Sequence, residues 1–167
     1  MRIINEPAPM HSIDEIDIAI LKHLQKYGRA QRNKLAEIVN LSVPSVSERM
    51  RKLEERKLIS GYHAVLDPQK FGFDIVAFIF VEVDNSSYYT PFVETMVREP
   101  EVLECHSITG DGSHVLKITT KNTVTLEKLL SRIQSLEGVK KTRSNIVLSN
   151  FKQTRELPID MADPAES

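Results

Sequence analysis

Residues 40–57, "NLSVPSVSERMRKLEERK", decide how the first part of this chain folds. The Ser42 side chain can accept a hydrogen bond from an amide of a first helical turn. Pro44 fits that turn, because its missing amide hydrogen would have had no partner inside a helix anyway. Val46, Met50 and Leu53 then fall within about 60° of one another at 100° per residue. The spacing predicts a helix from Ser42 to about Lys57 with a single apolar stripe. Pro44, Glu48, Arg51, Lys52 and Glu55 take the opposite face, with Ser45, Ser47 and Arg49 on its flanks, and that face is left to meet something outside the domain.

Upstream, a second short helix is expected over 31–39 with Leu35, Ile38 and Val39 inward, followed by a turn at Asn40 and Leu41. Before it, Ser12-Ile13-Asp14-Glu15 reads as a capping box opening a first helix. Ile13, Ile16, Ile20, Leu21 and Leu24 form its stripe, and Gly28 suits its end. Residues 1–11, with two prolines and no periodicity, read as a flexible arm. Downstream, Ile59 to Leu66 alternates about Gly61 like a small hairpin until Asp67-Pro68 breaks the pattern. Three short helices, a tight turn between the second and third, and a hairpin make a winged helix-turn-helix over 12–65. In such modules the third helix enters the major groove of double-stranded DNA. A three-helix domain for protein contacts is the plainer alternative.

Charge agrees with an anionic partner for this part alone. Residues 1–65 carry 11 Lys and Arg against 8 Asp and Glu, whereas 66–167 carry 11 against 15. Arg49, Arg51, Lys52 and Arg56 can neutralise phosphates, and the amides that open the helix at Ser42 can receive one. Ser45 and Ser47 can bond several bases, Pro44 can touch a thymine methyl, and Glu48 or Arg51 offers longer reach. The helix carries no Asn or Gln to pair with adenine, so modest base specificity is expected, supplemented by bending of A·T-rich DNA.

From Phe71 the period becomes that of strands. Residues 74–84, "DIVAFIFVEVD", are apolar at odd and even positions as far as Val81, which predicts a strand covered on both faces. Helix (86–100), strand (101–109), strand (114–120), helix (124–138, ended by Gly138) and strand (139–151) follow. The chain is therefore α+β, with a ferredoxin-like βαββαβ domain over 66–158 behind the helix-turn-helix and a disordered acidic tail over 159–167. Such a domain places both helices on one face of its sheet. The doubly apolar first strand then needs a second cover, and a homodimer with sheets packed face to face supplies it.

The single cysteine, Cys105, excludes an intramolecular disulfide and reads as a buried, inert thiol. No apolar run is long enough for a membrane span, and no signal sequence opens the chain, so a cytoplasmic protein is expected. The loop "TGDGSH" at 109–114 admits several readings. A phosphate loop would feed a helix, but here a strand follows. Catalysis at Ser113 or Cys105 with His106 or His114 would lack an orienting third group, so no enzyme is expected. Two imidazoles with Asp111 make a weak metal site, and neither metal nor cofactor is expected.

Together, "IDEIDIAILKHLQKYGRAQRNKLAEIV" (13–39), the stretch at 40–57 and "TRSNIVLSNFKQT" (142–154) resemble the leucine-responsive and asparagine-responsive (Lrp/AsnC) family of transcription regulators over about residues 12–158. The resemblance implies a DNA-binding domain and an amino-acid-sensing domain that dimerises, with dimers assembling to octamers and the effector bound between dimers. It places Thr109, Gly110, Asp111, Gly112, Ser113, His114 and Ser144 at the effector site, with Asp111 pairing a ligand ammonium group. The loop departs from the family's usual aromatic and acidic residues at Gly112, Ser113 and His114. Family relatives that decarboxylate a tetrapyrrole use tryptophan and histidine motifs that this chain lacks. A DNA-wrapping nucleoid protein that needs no effector is the alternative function. A free-standing metabolite sensor, which would show no salt-sensitive DNA binding, is another.

Overall fold

Capping, burial and register in a computed structural model that describes residues 13–110 and 112–159 show how these elements form. The expected arm at 1–11, the Ser12 cap and the tail from Asp160 lie outside the described residues. The chain divides into two compact units. One contains 13–65 and 153–159, and the other 66–152.

In the first unit, α1 spans Glu15–Lys26, α2 Arg32–Val39 and α3 Val43–Glu55. The capping box of α1 sits two residues later than expected. Asp14 accepts from the Asp17 amide at 2.8 Å, while the Asp17 carboxylate reaches back to the Asp14 amide. Both tetrapeptides fit the motif, and a tertiary contact favours the second, because Arg49 of α3 bonds Asp14 and Asp17 together. Asn40 takes the left-handed conformation that ends α2 (φ 50°), and the Ser42 side chain caps α3 by accepting from the Ser45 amide. Ile20, Leu24, Leu35, Ala36, Val46, Met50 and Leu53 close the core. Ile38, expected inward, is 42% exposed; Ala36 takes the inward place on α2 instead.

The hairpin expected over 59–66 is not formed, and no strand lies between α3 and residue 75. Two strands of three or four residues cannot hold a ladder without a packed face, and here Val65 is 92% exposed. Tyr62 instead donates its hydroxyl to Glu54 at 2.9 Å. Residues 153–158, expected with the second domain, cluster with this unit. The Leu157 amide donates to the Gln25 side chain at 2.6 Å, and that side chain donates back to the Leu157 carbonyl at 3.1 Å.

The second unit runs β1 Ile75–Val83, α4 Tyr89–Arg98, β2 Val102–Ser107, β3 His114–Thr120, α5 Thr123–Gln134 and β4 Val139–Ile146. The sheet order is β2-β3-β1-β4, antiparallel throughout. Ala77, Ile79, Val81 and Val83 point to one face and pack with Phe92 and Met96 of α4, Leu126, Leu129 and Ile133 of α5, and Leu116 and Ile118 of β3. Both helices therefore cover the same face. The other face carries Phe78, 39% exposed, beside Lys117 and Asn145 in register.

Several boundaries differ from expectation for local reasons. α4 is preceded by a 3₁₀ turn at Ser86–Tyr88, where Asn85 caps the Ser87 amide. α5 ends at Gln134 with Ser135 as its cap, so Gly138 (φ 83°) belongs to the turn beyond. β4 stops at Ile146, and past it Leu148 and Phe151 are more than nine-tenths exposed and have no strand to pair with.

Candidate functional sites

The face of α3 expected to meet nucleic acid is open. Ser42, Pro44, Ser45, Glu48, Arg51 and Lys52 are exposed, and Ser47 and Arg49 are half-buried. Its charges are organised rather than scattered. Arg51 grips Glu48 with two bonds, Nε to Oε2 at 2.8 Å and Nη2 to Oε1 at 2.6 Å, and it also bonds Glu55 one turn later. Lys52 lies 3.8 Å from Glu48. Two cations and two carboxylates thus balance on the exposed face. Arg49 is employed differently: its Nη1 lies 2.8 Å from carboxylate oxygens of both Asp14 and Asp17, of which Asp17 is only 7% exposed. It clasps α3 to the start of α1, an intramolecular role that helical spacing alone did not reveal.

The second site lies at one end of the sheet, where β1 and β2 end and β3 and β4 begin. β1 outlasts its ladder with β3, which closes at the Val81–His114 pair. Ser113 continues that ladder with a side chain. Its amide donates to the Val81 carbonyl at 2.9 Å, and its hydroxyl accepts from the Val83 amide at 3.0 Å. Gly112 (φ 138°) lies so close beneath that a Cβ there would stand 3.0 Å from the Val81 carbonyl oxygen. Only glycine combines that backbone conformation with that approach.

Beside this loop is an open depression of about 660 Å³. It is lined by Thr109, Gly110, Gly112 and Ser113, by Phe80 and Glu82 of β1, by Lys141 and Arg143 of β4, and by Val83, Tyr89 and Ile108. Four expected effector residues are therefore brought together. Asp111 lies outside the described residues. His114 and Ser144 do not line the depression: His114 is 2% exposed and points to the helix side, and Ser144 stands opposite Ile79 on β4. Successive residues of a strand face opposite ways, so Ser113 at the rim puts His114 in the core. Glu82, Lys141 and Arg143 were missed. The i, i+2 alternation of Lys141 and Arg143 marks one face, but only the β1–β4 pairing brings that face to the loop.

His114 packs against Tyr89 (4.9 Å between ring centres) and Phe92 (5.0 Å), and its Nδ1 is 2.9 Å from Ser113 Oγ. Burial pushes the imidazole below its ordinary value of about 6.5. The unfolded chain then takes up a proton that the folded one resists. The contribution of His114 to stability is complete above about pH 6.5 and declines as pH falls from there toward the lower folded value. Melting temperature of the full chain should accordingly drop between pH 7 and about pH 5.5, and His114→Gln, which keeps a donor for Ser113 but does not titrate, should flatten the drop. Equal slopes in both proteins would refute this assignment.

Among the described residues no group of three or more His, Cys, Asp or Glu side chains is placed to hold a metal ion. No helix there is long and apolar enough to cross a membrane. Cys105 is half-buried, and burial raises its thiol pKa.

A family model described as winged helix-turn-helix DNA-binding matches residues 13–60, and one described as Lrp/AsnC ligand binding domain matches 76–157. The HTH-type transcriptional regulator FL11 of Pyrococcus horikoshii is 39% identical over 147 residues, covering 88% of this chain and 97% of that protein. The solved structure of a transcriptional regulator from Neisseria meningitidis in complex with L-Met superposes with a TM-score of 0.86 at 30% identity, covering 90% of this chain and 99% of that one. The feast or famine regulatory protein of M. tuberculosis complexed with L-methionine gives a TM-score of 0.81 at 33% identity, over 86% and 97% of the two chains. With the helix-turn-helix and the βαββαβ unit both matched in order, and a relative 39% identical over 88% of the chain, this chain belongs to the Lrp/AsnC family of DNA-binding transcriptional regulators.

Proposed function

We propose that this regulator works without catalysis of its own, as a homo-oligomer that holds double-stranded DNA with the exposed face of α3. Its assembly and DNA binding change when an amino acid occupies the depression beside the 109–113 loop. The observation that carries this reading is the lining itself: a loop of two glycines and two hydroxyl residues faces both cationic and anionic side chains, Lys141, Arg143 and Glu82. An amino acid carries one group for each. Asp111, by its place in the loop sequence, is a further partner for the ammonium group. Two structurally similar regulators were solved in complex with L-methionine, which supports the same class of effector here.

The depression also has a route to assembly. Phe80, Glu82, Lys141 and Arg143 lie on the sheet face opposite α4 and α5, the face on which Phe78 is exposed. A second copy packed there, and larger assemblies up to an octamer, would meet whatever the depression holds. The effector can then shift the balance of assemblies only by its difference in affinity between them. The spacing of the α3 helices, and with it the preferred DNA, follows.

The test is a thermal-shift and sizing screen of the purified chain against the twenty amino acids. One of them should raise the melting temperature or change the oligomer size, and Asp111→Ala should weaken that effect at least about tenfold, the usual worth of a charged hydrogen bond. If no amino acid acts while DNA binding persists, the effector reading falls and a DNA-wrapping role without an effector takes its place.

A further inference from the structure

Two stretches of opposite charge converge on α1. Residues 18–36 hold five Lys and Arg and no Asp or Glu. Lys22, Lys26, Arg29, Arg32 and Lys34 are all exposed, along the second half of α1, the turn beyond it and the first turn of α2. Lys34 pairs with Glu37 at 3.0 Å, the Lys26 ammonium lies 5.5 Å from the Tyr27 ring centre, and Lys22 is engaged as well. Tyr62, which donates to Glu54, feels the charge of Arg32. The acids of α1, Glu15 and Asp17, sit in its opposite, first turn. With Glu37 and Glu54 counted, five cations against two acids leave this corner at +3.

The acidic stretch is brought to the same helix by Gln25. Its side chain accepts from the Leu157 amide at 2.6 Å and donates to the Leu157 carbonyl at 3.1 Å. The Leu157 side chain is 67% exposed, so this strap does not serve apolar burial. From Glu156 to Ser167 the chain carries four acids and no Lys or Arg. At 100° and 1.5 Å per residue, Lys22 and Lys26 lie on one side of Gln25, within about 100° and 5 Å of it along the helix. Residues 160–167 span at most roughly 29 Å from the strap, enough to cross the corner. So short a tether gives them an effective concentration of order millimolar.

We propose that the acidic segment 160–167 of this chain docks on the α1–α2 corner, around Lys26, Arg29 and Arg32, and competes there with DNA phosphates. The helix that precedes a recognition helix crosses the DNA backbone, and here that is α2, with Arg32 and Lys34 in its first turn. DNA and the segment therefore meet the same cations. On α3, Arg51 and Lys52 are already balanced by Glu48 and Glu55, which makes the corner the stronger source of attraction for either anion. The contact is autoinhibitory, since DNA binding must displace the segment.

The experiment is titration of the full chain with poly(dA-dT) duplex at several salt concentrations, beside the variant Asp160→Asn/Asp163→Asn/Glu166→Gln. The triple variant should bind roughly fivefold to tenfold more tightly at low salt, three exposed ion pairs at a factor of about two each. The gap should close toward 1 M salt, where screening acts within about 3 Å. Gln25→Ala should also tighten binding, but not when added to the triple variant. Lys26→Gln/Arg29→Gln should weaken binding and erase the gain from the triple variant. Carbodiimide, which joins a carboxylate to an amine in contact with it, should link the segment to Lys22 or Lys26 within one chain, and the duplex should suppress that link. Equal affinities of the native chain and the triple variant at low salt overturn the proposal. So does an undiminished gain in the Lys26/Arg29 background, which would be a long-range charge effect without docking. Links formed only between two copies, or a Gln25 variant indistinguishable from the native chain, overturn it as well.

Discussion

Gly138→Ala should destabilise the βαββαβ unit by about 3 kcal/mol and lower its melting temperature by roughly 10 to 20 °C, the largest stability effect expected of any single methyl group here. Two costs coincide. Gly138 has φ 83°, a left-handed conformation that costs an ordinary residue about 1 to 2 kcal/mol. Its added Cβ would also stand 2.3 Å from Tyr88 Cγ and 2.6 Å from Tyr88 Cβ, atoms too near the backbone to swing aside. Nor can the turn retreat, because the Gly138 carbonyl accepts from the Asp84 amide at 2.8 Å, tying the end of β1 to the start of β4. Tyr88 in turn packs on the core and donates to Glu137 at 3.3 Å.

Gly72→Ala is the internal control. Gly72 has φ 73° but nothing within 4 Å of the added atom, so it bears the backbone cost alone, about 1 kcal/mol. Chemical denaturation of both variants separates conformation from collision, and equal losses would show that the Tyr88 contact yields without cost. The collision also reaches function. β4 begins at Val139 and carries Lys141 and Arg143, so a turn displaced at Gly138 moves both cations of the depression, and effector affinity should fall with stability.

What the sequence revealed divides along a physical line. Elements whose signals are local were legible: Ser42, Pro44 and the Val46, Met50 and Leu53 stripe define α3, and the strand expected over 114–120 is β3 with the same bounds. Features that depend on a neighbour distant in sequence were not. Ser12 and Asp14 offer equally good caps until Arg49, thirty-five residues away from Asp14, selects the latter. Ile38 looks inward by spacing, but α2 turns Leu35 and Ala36 to the core. The alternation over 59–66 specifies extended chain without specifying a partner, and no hairpin forms there. At the depression, the glycines and Ser113 were legible as a tight loop, whereas Glu82, Lys141 and Arg143 become part of the site only through the β1–β4 register. His114 adjoins the loop in sequence, but the strand period places it on the core side with Val81.

Arg51→Ala/Lys52→Ala should weaken DNA binding about 100-fold at physiological salt and flatten its salt dependence, with little effect on folding. The exposed face of α3 now balances two cations against Glu48 and Glu55. Removing the cations takes away two phosphate contacts per helix, four in a dimer, each worth a slope of about 0.9 in log affinity against log salt. It also leaves two unneutralised carboxylates facing the phosphates. Stability should hold, because the pairs lost are exposed and worth about 0.3 to 0.5 kcal/mol each, and alanine is the best helix former. Arg49→Ala should behave the other way round. Losing its bonds to Asp14 and the buried Asp17 should cost about 1 to 3 kcal/mol of stability and loosen α3 from α1, while the salt slope changes by less than in the double variant. Binding titrations at several salt concentrations, beside melting curves, distinguish the two. Wild-type affinity and slope in the double variant would remove α3 from the DNA interface, whereas a slope lost with Arg49 at unchanged stability would mean that Arg49 leaves its aspartates to bind phosphate.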